Sequence, residues 1–359
     1  MLESQFGIMA SALSWIANFL ILRSHTVRIG SNTSKYFNIL FGVPQGSILG
    51  PILFILYTSN IVQIAFKHGI LIHLYADDTQ LYIKLSAKDI DNAKLRLMTC
   101  FNEIQSWCAS MRLKLNASKT ELIWFYHHPP PNSDLLHTLL NLGPDCSIKP
   151  ADVVRDLGVL LDNSLSMKSQ ISSISKSCFF HLRRIRQVKK SLNERCLRTL
   201  VQAFVISRID YCNSVLYGLP ASTLKPLTTV LHYAAKLIKN LAPRDHVTPT
   251  LRELHWLPIQ ARINFKICML MYRVHTNSSP SYVSSLVTPC SSVQSRRGLR
   301  SSSQADFVVI RSVRKFGNRA FALAGPTEWN KLPDFIRRSS TLSVFKKNLK
   351  TYLFKIYYE

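Results

Sequence analysis

Along the 359 residues, apolar positions follow two regimes that change near residue 164. Before that point, helical spacing and strict alternation take turns. After it, spacings of three and four dominate. Phe6, Met9, Leu13, Ile16 and Leu20 recur at helical spacing, and residues 8–22 are apolar and uncharged. That run reads as a buried helix. It is short for a membrane span, and no Lys or Arg precedes it as a signal peptide requires. Residues 23–30 alternate towards a strand, residues 31–34 make a turn, and 37–41 lead into a Gly-rich loop. Residues 47–66 predict one long, largely buried helix.

Residues 69–74 read as a buried strand. Beyond Asp77-Asp78, Leu81, Ile83 and Leu85 alternate with Gln80, Tyr82 and Lys84, which predicts a second strand. The two carboxylates therefore sit in the turn of a β-hairpin. Ser86 to Asp89 resemble a capped helix start, and Ile90, Leu97, Phe101, Ile104, Cys108 and Met111 give that helix one apolar face to about residue 110. Residues 113–116 and 121–126 read as strands around a turn holding Lys119, and 127–133 as a loop whose His127-His128 pair is exposed. Residues 153–161 read as one strand. Helices follow at about 164–190, 193–217, 224–241, 259–275 and 342–358, broken at Gly218-Leu219-Pro220, Ala242-Pro243-Arg244 and Trp256-Leu257-Pro258. Residues 290–303, rich in Ser and Arg, read as a mobile linker. The fold class is α+β, with domains expected at 1–163, 164–289 and 304–359.

Charge sharpens this division. The net charge is +25 with a pI near 10.0. Residues 1–150 carry 12 Lys and Arg against 9 Asp and Glu; residues 151–359 carry 33 against 11. A second half at +22 predicts a polyanionic partner, most simply nucleic acid, with an anionic membrane surface as the alternative. In the helix after 164, Cys178, Leu182, Ile185 and Val188 form the apolar stripe, and Arg183, Arg184, Arg186, Lys189 and Lys190 supply cations that suit either nucleic-acid phosphates or a solvated face. The same run could serve as a nuclear-import signal. Eight scattered cysteines show no Cys-x-x-Cys and no histidine pair at ligand spacing. That argues against zinc and for free, buried thiols in an intracellular protein, nuclear or cytoplasmic and not secreted.

Two candidate sites stand out. Adjacent carboxylates at a hairpin tip repel unless a cation lies beside them, and an all-oxygen site suits Mg²⁺. A solvated turn is the plain alternative, because Asp is common in turns. In the loop Gly42-Val43-Pro44-Gln45-Gly46-Ser47-Ile48-Leu49-Gly50-Pro51, Gly46 leaves room for a ligand to approach the backbone and Gln45 offers donors and an acceptor. An ordinary helix-start loop has the same features.

Taken together, that loop and Tyr75-Ala76-Asp77-Asp78 resemble the palm of reverse transcriptases from non-LTR (LINE-type) retrotransposons. Leu115-Asn116-Ala117-Ser118-Lys119-Thr120-Glu121 and Asp156-Leu157-Gly158-Val159-Leu160-Leu161-Asp162 resemble the next two motifs. Residues 316–333, with Pro326 and Trp329, resemble the C-terminal tails of the same elements. The resemblance implies a partial polymerase palm followed by a basic helical thumb, with an RNA template and a DNA primer as partners. It implies Mg²⁺-dependent nucleotidyl transfer, with Asp77 and Asp78 as metal ligands and Lys119 as general acid or phosphate contact. Pro44, Gln45, Gly46, Ser47 and Tyr75 would place template–primer and nucleotide. Leu157 and Gly158 would grip the primer, and the cations of 183–190 would meet the duplex.

One part is missing. Family sites take an aspartate from a strand ahead of the Gly-rich loop, yet Glu3 is the only acid before Asp77. The expectation is a fragment holding the second half of the palm, the thumb and the tail, with negligible polymerase activity alone. A non-catalytic nucleic-acid-binding relic is the alternative.

Overall fold

The computed structural model describes residues 1–126, 138–142, 147–294, 305–312 and 317–359. The chain divides into two units, one of residues 1–122 and 129–150, the other of 123–128 and 151–359. The predicted His127-His128 loop and most of the predicted linker, 295–303, lie outside the described residues.

In the first unit the N-terminal apolar run does form a helix, Ala10–Leu20, but none of its residues is buried. Trp15 is 60% exposed and the following Leu22 98%. Burial needs a second surface, and among the described residues none covers this helix enough to bury its apolar face, where Leu13, Ile16, Phe19 and Leu20 stay half-buried. Arg23–His25 pairs antiparallel with Phe37–Ile39, and Arg28–Ile29 with Asn32–Thr33 across a Gly30-Ser31 turn. The single helix expected over 47–66 is two, Leu49–Thr58 and Ile61–Lys67. At the break, the Thr58 and Ser59 hydroxyls donate back to the Phe54 and Leu56 carbonyls at 2.9 and 2.8 Å, a habit that bends helices. By length and composition alone, Leu49–Lys67 would also pass for a membrane span.

The hairpin forms as expected, with Leu71–Tyr75 against Asp78–Tyr82. The cross-strand pair Ile72 and Leu81 turns inward onto a core of Ile61, Ala65, Ile70, Cys100, Ile104 and Cys108. The outer face stays open, so the first strand alternates between exposed and half-buried and is not buried throughout. Helix Ile90–Ser110 supplies the other wall of that core, as its 3.6-residue stripe requires. The strands expected at 113–116 and 121–126 are absent. Leu113 and Leu115 pack on the core as irregular chain, and Leu122 makes one isolated bridge to Pro150. Asn116 organises the turn instead. Its carbonyl accepts from the Lys119 N–H and the Thr120 hydroxyl, and its side chain accepts from Ser118. Among the described residues the strands form five separate two-stranded ribbons and no continuous sheet.

The second unit begins with a hairpin where one strand was expected. Val153–Asp156 pairs with Val159–Asp162 across Leu157-Gly158. Both turn residues have positive φ, 43° and 83°, as a type I′ turn demands. Helix Lys168–Val188 follows, its stripe buried at Ile171, Ile174, Cys178, Leu182 and Ile185 but ending before Val188, which is exposed. Glu194–Val201 runs through a π-turn, Gln202–Ile206, into Ser207–Asp210. Ala221–Lys239 and Ile259–His275 complete the main core. A second core joins Met271 and Tyr272 to Trp329, Ile336, Phe345 and Leu349 from the tail helices Phe321–Asn330, Asp334–Arg337 and Leu342–Tyr358. Cys290 is buried, and its N–H reaches the Asp306 carbonyl at 2.9 Å, so the start of the supposed linker is anchored. Five of the seven described cysteines are buried.

Candidate functional site

Tyr75 and Asp78 face each other as the last pair of the hairpin, which leaves Ala76 and Asp77 as a two-residue loop. Ala76 takes a φ of 53°, the positive value that primed hairpin turns need at their first position. The turn thus holds two consecutive carboxylates at the tip, both exposed, beside an exposed Tyr75. On the outer face the His73 and Tyr82 rings stack with centroids 5.0 Å apart, and the Tyr82 hydroxyl lies 3.0 Å from His73 Nε2. These contacts stiffen the strands that carry the tip.

The Gly-rich loop is braced from within. Ser47 Oγ donates to the Pro44 carbonyl at 2.7 Å and accepts from the Gly50 N–H at 3.1 Å, which starts the helix. Arg23 Nη2 holds the Gly42 carbonyl at 2.5 Å. Gly46 has a φ of 81° and open space where a Cβ would stand. Pro44, Gln45 and Gly46 are exposed and Ser47 half-buried. Among the described residues no hydrogen bond links this loop to the hairpin tip. Lys119 ends an exposed 3₁₀ turn in the same unit.

The donor set at the tip is short for a metal site. Mg²⁺ is held by several oxygens in near-octahedral geometry, and sites for nucleotidyl transfer hold two such ions. Here two adjacent carboxylates are present, and among the described residues no group of three or more acidic, histidine or cysteine side chains could hold a metal ion. The residues present do not complete the site.

In the second unit, the Leu157 carbonyl accepts from the Tyr211 hydroxyl at 2.6 Å, so the helical region pins the turn. At the far end of that hairpin, Asp162 is a hub that sequence reasoning missed. Its carboxylate accepts from the Ser166 and Met167 N–H groups, both at 2.7 Å, and from the Ser164 and Ser166 hydroxyls. Burial pushes this carboxyl's pKa up, but those four hydrogen bonds outweigh it and hold it below the ordinary range. The only signal was an Asp shortly before a helical pattern. Beyond it, Arg183, Arg184 and Lys190 are exposed. Arg186 and Lys189 are spent within the fold, on the Tyr233 hydroxyl at 3.2 Å and Asn240 Oδ1 at 2.9 Å.

Comparison with known proteins fits the motif-bearing part of the chain. Residues 4–160 match the family model of reverse transcriptase (RNA-dependent DNA polymerase). Its non-LTR branch is supported by curated relatives from mobile elements. A probable RNA-directed DNA polymerase from transposon BS of Drosophila melanogaster is 27% identical over 198 residues, 52% of this chain and 20% of the relative. RNA-directed DNA polymerases from mobile element jockey are 28% identical over 169 residues in D. melanogaster and 26% over 211 in D. funebris. Those alignments cover 45% and 56% of this chain, and 17% and 22% of the relatives. The chain thus spans about a fifth of the length of the curated relatives it matches. No solved structure matches it.

Proposed function

We propose that this chain handles nucleic acid within a non-LTR reverse transcriptase and does not by itself carry out nucleotidyl transfer. Residues 1–163 correspond in this reading to the later part of a palm, and the helices after 164 to a thumb. Asp77 and Asp78 are two of the carboxylates that would hold Mg²⁺. The Pro44–Ser47 loop and Tyr75 lie where template–primer and nucleotide are placed, Leu157-Gly158 meets the primer strand, and Lys119 contacts phosphate or donates a proton. The observation that carries the reading is the hairpin tip, which presents two adjacent carboxylates and no third donor group among the described residues. Without the rest of the donor set, no transfer step follows from these residues alone. The +22 of residues 151–359 supports binding to RNA and DNA regardless.

The test is primer extension by the purified chain with Mg²⁺, run beside a binding titration against RNA–DNA hybrid. No extension is expected above background. Binding should weaken steeply as salt rises, because phosphate contacts release counterions. Robust extension that is abolished by Asp77→Asn would refute the reading, as would salt-insensitive binding.

A further inference from the structure

Between Asp162 and Glu194 the sequence carries no acid, and none occurs between Asp210 and Asp245. These two acid-free stretches contain helices Lys168–Val188 and Ala221–Lys239, which pack side by side in the second unit. Along their seam runs an open cleft of about 670 Å³. One wall is a single face of the first helix: Lys168, Ser172, Ser175, Lys176, Phe179 and Arg183. At about 1.5 Å per residue, Lys168, Lys176 and Arg183 stand roughly 12 and 10 Å apart along the axis. None of the three side chains takes part in an ion pair or hydrogen bond among the described residues.

The other wall is the start of the second helix, with Ser222, Thr223 and Pro226. Its N-cap is Pro220, and no side chain caps it. The Thr223 and Leu224 N–H groups reach the Pro220 carbonyl, while those of Ala221 and Ser222 have no partner among the described residues. An uncapped N-terminus of a 19-residue helix concentrates positive potential where these N–H groups point. A second observation falls in the same cleft. Ser175 is only 8% exposed, yet its Oγ has no hydrogen-bond partner. A buried hydroxyl left unpaired is costly, which sets Ser175 apart from the exposed Ser172 and Ser222 of the same cleft.

We propose that this cleft is a phosphate-binding groove for single-stranded nucleic acid, an inference that rests on the binding reading above and specifies its substrate. Free cations, the uncapped helix start and three further hydroxyls all select a phosphodiester. The concave shape selects one strand. Duplex grooves are entered by protruding elements such as a helix, whereas a cleft walled by two packed helices admits a lone backbone. Half-buried Phe179 adds apolar surface beside the cations for a sugar or base.

The test uses the full chain and a fluorescein-labelled single-stranded RNA, compared with the same RNA as a duplex and with phosphatidylserine vesicles. The groove variants are Lys168→Gln/Lys176→Gln, and Ser222→Glu, which puts a carboxylate at the helix start. Lys346→Gln/Lys347→Gln, two exposed cations of the last helix, is the charge-matched control. Circular dichroism and melting confirm folding, and the lysine pair decides the question if Ser222→Glu does not fold. Each groove variant should lose roughly tenfold or more in single-strand affinity, and the lysine pair should flatten the log–log salt slope by about 1.4, at about 0.7 per phosphate. The control should change affinity less than about threefold. Equal losses in groove and control variants would overturn the groove, as would wild-type preference for duplex or a stronger groove-dependent affinity for vesicles. Wild-type protein that binds no nucleic acid at all would overturn the proposed function along with it.

Discussion

Replacing Asp162 by Ala removes, in one step, the acceptors for two backbone N–H groups and two hydroxyls. The hydroxyls of Ser164 and Ser166 can turn to water, so their loss counts for little. The Met167 N–H cannot, because Met167 is 1% exposed. Leaving a buried donor unpaired costs about 1–3 kcal/mol, and losing a second bond to a charged acceptor costs about 1.5–3 kcal/mol. The two are neighbours and do not add fully, so about 3–4 kcal/mol is expected. For a unit of this size that is a fall of about 10 °C in Tm. Acid reports on the same contacts. The folded pKa of this carboxyl lies below its unfolded value of about 3.9. Its contribution is therefore complete above that value and lost as pH falls through the folded pKa. Urea denaturation of wild type and Asp162→Ala, followed by tryptophan fluorescence, should show the full gap at neutral pH and a narrowed one well below pH 4. The reasoning fails if the variant melts within about 0.5 kcal/mol of wild type at neutral pH. It also fails if the gap is unchanged in acid.

Other outcomes follow from single contacts. Gly158→Ala should cost about 1–2 kcal/mol from backbone strain alone, since its φ is 83° and the added Cβ would meet the Tyr211 ring at an ordinary 3.7 Å; thermal melting checks it. Asp210 accepts two hydrogen bonds from the Arg262 guanidinium, at 3.0 and 2.9 Å. Asp210→Ala should cost about 3 kcal/mol by stranding that cation, and adding Arg262→Met should recover most of it in a double-mutant cycle by denaturation. Asp77→Asn and Asp78→Asn should each leave stability within about 0.5 kcal/mol, because both side chains are exposed at a turn. A larger loss in either melting curve would place that carboxylate in the structure of the hairpin.

Several elements were legible because local chemistry and packing agree. Ile259–His275 and Leu342–Tyr358 fall on their sequence-read bounds, since proline breaks or a Thr341 cap coincide with the apolar period. The hairpin was legible because alternation is a local property, and its tip placed Asp77 and Asp78 as read. The burial of Ala10–Leu20 was not legible, because a sequence shows an apolar face but not whether anything covers it. Leu113 and Leu115 alternate as a strand does, yet core contact satisfied them without a partner strand. Gly158, inside an apolar run, was the overlooked mark of a turn. The Asp162 hub and the Tyr211 contact with Leu157 escaped because they join residues that only the folded chain brings together.

The packing of the tail bears on how the chain is made. Gly325 lies so close to helix Ile259–His275 that a Cβ there would stand 2.5 Å from Met271 Sδ, and Tyr272 stacks on Phe345 at 4.3 Å. The Met271–Tyr272 side of helix Ile259–His275 therefore lacks most of its cover until residues 321–358 have left the ribosome. With 83 residues from its end at His275 to the end of the last helix at Tyr358, synthesis takes on the order of 4–16 s over that distance. Throughout that interval a sticky surface waits on its own C-terminus, which makes the nascent chain a natural client for chaperones.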